Sequence, residues 1–64
     1  MNKIEYKAKV RALNLFNRCY EKNDSDTLNF VKDYYWRRMQ SSRLSVGQKR
    51  YAKAYVEQLN KHYL

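Results

Sequence analysis

Apolar residues recur at three- and four-residue steps through three successive segments of this chain, and no proline interrupts any of them. That period gathers the apolar side chains on one face of a helix, and no segment sustains the period of two that a strand requires. In the first segment Ile4, Ala8, Ala12, Leu15, Phe16 and Cys19 form one broad apolar face, and Tyr6, Val10, Leu13 and Tyr20 carry the nonpolar surface around the other side. The polar remainder is narrow, with Lys7, Arg11, Asn14 and Arg18 in line. A helix this apolar is expected to pack on two sides, either centrally between its neighbours or across a homodimer.

Two short polar stretches, Lys22 to Asp26 and Gln40 to Ser45, separate the segments, so the predicted helices cover approximately 2–21, 26–40 and 46–62. The second opens in Asn23-Asp24-Ser25-Asp26-Thr27, rich in capping oxygens, and closes with Arg37 and Arg38 at the negative end of its dipole. Leu28, Val31, Tyr35 and Met39 make its core stripe, with Phe30 and Tyr34 to one side and Trp36 to the other. At the third start, Ser45-Val46-Gly47-Gln48 fits a capping box, in which the serine hydroxyl and the glutamine side chain each satisfy the other's backbone NH. Ala52, Tyr55, Val56, Leu59 and Tyr63 follow as a core stripe, opposite Lys49, Arg50, Lys53 and Glu57. The expected fold is all-α, a single compact three-helix domain.

At 64 residues the core is thin, and a net stability of only about 3–5 kcal/mol is expected. Small domains often compensate with a disulfide or a metal. Here Cys19 is the only cysteine and His62 the only histidine, so neither staple, and no cofactor site, is expected. Cys19, on the apolar face, reads as a small buried hydrophobe. No apolar run approaches the ~18 residues of a membrane span, the start shows no signal-peptide core, and a lone cysteine suits a reducing compartment. The cytoplasm is the expected location.

Lysine and arginine outnumber aspartate and glutamate by 14 to 6, a formal charge of +8. Such an excess destabilises the compact state through self-repulsion and concentrates polyanions nearby, nucleic acid first among them, with an acidic membrane or acidic protein next. The apolar faces are poor in the large aliphatics that insert well into lipid, which makes a membrane-surface role the weakest of the three. Between Tyr34 and Val56 there is no acidic residue, while Arg37, Arg38, Arg43, Lys49, Arg50 and Lys53 all fall there. Arg37 and Arg38 suit their helix dipole. Lys49, Arg50 and Lys53 sit at the end of a helix where acids are the favoured partners, so they point to phosphate contact. Lys7, Arg11 and Arg18 form a secondary basic stripe, although a polar stripe on an amphipathic helix is ordinary in itself.

Phe30, Tyr34 and Arg37 share a helical face outside the core stripe. Packing against the first helix is the expected role of the two rings, and base stacking beside the arginine is the other. Lys32 and Trp36, four residues apart, suit a cation–π pair. Catalysis is not indicated. His62 stands in a last turn where its charge suits the dipole, Asp24 and Asp26 read as capping residues, and no nucleophile motif, metal-ligand spacing or glycine-rich phosphate loop occurs.

The segment from Thr27 to Leu59 resembles the small helical modules attached to, or encoded beside, phage DNA-processing enzymes, including the recombination-repair helicase of T-even phages. In that pattern an aromatic-bearing helix leads into a Leu-Ser-x-x-Gln loop and then a basic helix. Phe30-Val31 and Leu44-Ser45-Val46-Gly47-Gln48 supply those features here. The chain departs from the pattern at Val46, where a polar or charged residue is usual, and at Gly47. The resemblance implies an accessory role near a helicase or recombination complex, in the host cytoplasm if the protein is phage-encoded, and no enzymatic one. Two functions therefore stand as expectations: a nucleic-acid-binding accessory protein, with DNA favoured over RNA, gripping the backbone largely without sequence preference, or a protein-interaction module that docks on a host or phage enzyme through its first helix and exposed aromatics.

Overall fold

The structure, a computed structural model, describes residues 3–63, with the side chains of residues 3–61. It is an all-α domain of three helices, α1 Lys3–Lys22, α2 Ser25–Gln40 and α3 Val46–Tyr63. Among the described residues, no helix is long and apolar enough to cross a membrane. A start at residue 2 and the placement of the His62 and Tyr63 side chains lie outside the described residues.

The turn between α1 and α2 is tighter than the five polar residues suggested. Asn23 takes the left-handed conformation with φ 54°, which asparagine tolerates better than most residues. Its NH donates to the Tyr20 carbonyl at 3.3 Å, and the Asp24 NH donates to the Cys19 carbonyl at 2.8 Å. This pair of bonds closes α1 in a Schellman arrangement. Asp24 then caps α2 directly, its carboxylate accepting from the Thr27 NH at 3.0 Å and from the Thr27 hydroxyl at 2.6 Å. Those bonds to Thr27 hold the Asp24 carboxyl below its ordinary pKa. At the other junction the capping box forms as expected. The Ser45 NH donates to Gln48 Oε1 at 3.0 Å, and the Gln48 NH donates to Ser45 Oγ at 3.2 Å.

The central element is α3. It packs extensively against both α1 and α2, which touch each other far less. Of the two placements expected for α1, the central one is corrected: α3 holds the middle, with Ala52, Ala54, Tyr55, Val56 and Leu59 all buried. On α1 only Ala8, Ala12 and Cys19 are buried, and on α2 only Leu28, with Leu15, Phe16, Val31 and Tyr35 partly covered around them. Alanines on both sides of the α1–α3 contact permit close approach of the two helices. At the first turn of α3 a Cβ added at Gly47 would stand in ordinary van der Waals contact with Ile4 Cδ1, at 3.4 Å, so the packing there does not require glycine.

Among the described residues, Leu59 is the largest side chain that is fully buried. Its truncation to alanine removes apolar contacts from the centre of the buried cluster, a loss of about 2–5 kcal/mol. Against a total of about 3–5 kcal/mol, Leu59→Ala is expected to leave a large unfolded fraction at room temperature, measured as lost helical circular dichroism and a broadened thermal transition. A variant that melts like the parent would contradict this account of the core.

Candidate nucleic-acid interface

The basic residues singled out from the sequence, expected to form one positive region across the α2–α3 junction, divide instead between its two flanks. On one flank Arg37 and Arg38 line an open groove with Phe30, Asp33, Tyr34, Ser41 and Leu44. Arg38 and Tyr34 also border a second groove of about 490 Å³, which brings in Arg11 from α1 and Tyr51 and Gln48 from α3. On the other flank Lys49, Arg50 and Lys53 line a groove with Met39, Gln40 and Val46. Arg50 and Lys53 continue there into a further cleft with Lys9, Glu5 and Glu57. Arg43 lies exposed in the loop between α2 and α3, its NH donating to Ser41 Oγ at 3.2 Å.

The acid-free window of sequence is thus not acid-free in space. Asp33, one residue before the window, sits one helical turn from Arg37 and pairs with its Nε at 3.1 Å. Glu5 reaches the second flank from α1, and Glu57 from one turn further along α3. The cations still prevail on both sides. Arg11, Arg37 and Arg38 face Asp33, and Lys9, Lys49, Arg50 and Lys53 face Glu5 and Glu57. Among the described residues no carboxylate stands within ion-pair distance of Arg43, Lys49, Arg50 or Lys53.

The secondary stripe divides. Lys7 and Arg18 are exposed. Arg11 instead reaches across to α3, donating to the Tyr51 hydroxyl at 3.2 Å with its guanidinium 5.9 Å from the ring centre. The Tyr51 bond raises the guanidinium pKa further, so Arg11 is a fixed charge at every accessible pH.

Phe30 and Tyr34 do not pack against α1, contrary to expectation. They are 73% and 47% exposed: α1 meets α2 far less than either meets α3, and the apolar neighbours on that side are limited to Leu44 in Phe30's groove and Ile4 in the second groove that Tyr34 borders. Tyr34 is nonetheless anchored. Arg38 donates to its hydroxyl at 3.2 Å, the guanidinium lies 5.3 Å from the ring centre, and the ring meets Tyr35 edge-on at 5.1 Å. Trp36 is also exposed on its own side of α2.

Sequence reasoning missed the tyrosine cluster behind this surface. Tyr35 stacks on Tyr55 at 4.1 Å, and Tyr51 closes the group at 5.9 Å from Tyr35 and 6.0 Å from Tyr55. The one signal in the chain was the four-residue spacing of Tyr51 and Tyr55, but their meeting with Tyr35 depends on how α2 lies on α3. Burial, reinforced by the neighbouring phenols, pushes Tyr55 up to about 12 and raises Tyr35 as well. A phenol whose pKa is raised on folding keeps its full contribution below the unfolded value near 10 and loses it as pH climbs through the folded value. Stability is therefore expected to hold to about pH 10 and to fall toward pH 12. A spectrophotometric phenolate titration should show a late fraction, from Tyr55 and Tyr35, that titrates together with loss of helical signal. A single ordinary transition with helicity intact would refute the buried cluster.

The chain matches no protein-family model, no curated protein and no solved structure.

Proposed function

We propose that this is a nucleic-acid-binding accessory protein that grips the phosphate backbone largely without sequence preference. One observation carries the reading. Arg37 and Arg38 on one flank of the α2–α3 junction, Lys49, Arg50 and Lys53 on the other and Arg43 in the loop between them stand on a chain of net charge +8, and of these six only Arg37 is ion-paired among the described residues. Cations in that state exchange bound anions for phosphates and release condensed counterions, which favours association with any nucleic acid. Base reading is not part of the proposal, because base-edge recognition needs a helix presenting amide or guanidinium groups in register with a groove. DNA is the preferred target. The likeness of Thr27 to Leu59 to modules of phage DNA-processing enzymes supports a place for this grip beside a helicase or recombination complex.

Neutralising about four to six phosphates gives an expected log–log salt slope of about −3 to −5. Fluorescence anisotropy across an ionic-strength series measures it, and no binding even at low salt would remove the proposal. Joint reversal at Arg50 and Lys53 to glutamate should lower affinity roughly tenfold or more by two lost phosphate contacts, and to a similar degree for unrelated sequences. Loss confined to one sequence would contradict a backbone grip.

A second reading, a protein-docking module, is favoured by a specific feature of α1. Tyr6, Val10, Leu13, Asn17 and Tyr20 follow one another at four- and three-residue steps along an exposed face. That is the spacing of a helix–helix seam, with asparagine at a position where a polar residue sets register. A second copy would bring +8 against +8, so an acidic helix of another protein suits the seam better.

A further inference from the structure

We propose that the exposed face of α2 is a stacking platform for unpaired nucleobases, so that the protein holds single strands in preference to duplex. The inference rests on the nucleic-acid reading above and assigns it a site and a substrate class. Phe30 is the most exposed large apolar side chain on α2, and it lines one groove together with Tyr34, Arg37 and Arg38. An aromatic ring left in water beside two guanidinium groups lacks a folding role, since neither α1 nor α3 covers it. The groove is open to solvent, with Asp33, Ser41 and Leu44 completing its lining.

The geometry selects the form of nucleic acid. Phe30 and Tyr34 are one helical turn apart, which sets them about 6 Å apart along the axis. Nucleotides along a duplex strand repeat at about 3.4 Å, with both faces of each base covered by its neighbours. A duplex therefore cannot present successive base faces to the two rings, whereas an unstacked strand can stretch to do so. The two aromatic positions are also unequal. Tyr34 is held by the Arg38 bond and by Tyr35, so its orientation is set before a ligand arrives. Phe30 supplies the open ring face. Arg38 can reach a phosphate with the guanidinium hydrogens it does not spend on Tyr34, and Arg37 can do so by leaving Asp33, an exposed pairing that costs little to break. Bases on rings and phosphates on arginines are the two halves of sequence-tolerant single-strand binding.

The test uses the full chain with short labelled single-stranded DNA, single-stranded RNA and duplex DNA of equal length, followed by anisotropy. The parent should bind single strands more tightly than duplex. Phe30→Ala, at a position outside the core cluster, should weaken single-strand affinity about 5- to 150-fold for one stacked base, leave duplex affinity and the thermal midpoint unchanged, and be rescued by Phe30→Trp. Both single strands should lose affinity alike, because every base has a ring face. A uniform drop for single and double strands, or no drop at all, would overturn the platform while leaving the phosphate grip intact. Retention of single-strand affinity by Phe30→Ala with loss of a protein partner would reassign the face to protein docking. Absence of binding to any oligonucleotide at low salt would instead sink the underlying nucleic-acid reading.

Discussion

Burial of α3 between the other two helices, on more than one of its faces, is the constraint on which everything else in this domain depends. Ala54, Tyr55 and Leu59 join Ala8, Ala12 and Cys19 of α1 and Leu28 of α2 in one buried cluster, and Ala52 and Val56 of α3 are buried as well. Hydrophobic burial near 25 cal/mol per Å² has to offset the chain entropy of a short polypeptide almost unaided. With Cys19 buried and free, no disulfide shares the work. Placing α3 in the centre also keeps α1 and α2 apart, which opens the grooves along both sides of the α2–α3 junction.

The exposed surface follows from that arrangement. A domain this thin cannot cover ten aromatic residues, so some tyrosines go inward as a stacked group and others stay in water. Two arginines tie the layers together. Arg11 bridges α1 to Tyr51, and Arg38 holds Tyr34 over Tyr35, so the cationic surface and the aromatic interior are in direct contact. The charge excess costs stability through repulsion, and the fold spreads it over two flanks with Asp33, Glu5 and Glu57 placed among the cations. A polyanion laid on either flank relieves that repulsion, which gives binding a stabilising effect on the fold itself.

Much of this is legible in the order of the residues. The three helices, the capping box at Ser45 and Gln48, the capping role of Asp24, the burial of Cys19 and the core roles of Leu28, Tyr55, Val56 and Leu59 all follow from local spacing or local chemistry. The central role of α3 is not legible there, because α1 carries more apolar residues in its sequence than it buries. Nor is the exposure of Phe30, since a helical wheel shows which residues share a face and not whether another helix will cover it. The acid-free window misleads for the same reason: Asp33 lies just outside it, and Glu5 arrives from a different helix.

By itself, then, the sequence determined the helices, their caps, the sign and size of the charge, and the impossibility of an internal disulfide, because each depends on residues within a turn or two of one another or on composition alone. Tertiary structure decided which helix is central, which rings are left in water, how the cations divide between two flanks, and which tyrosines meet. Those outcomes depend on the order and angle in which amphipathic faces compete for a limited interior, and that competition is settled only between segments distant in the chain.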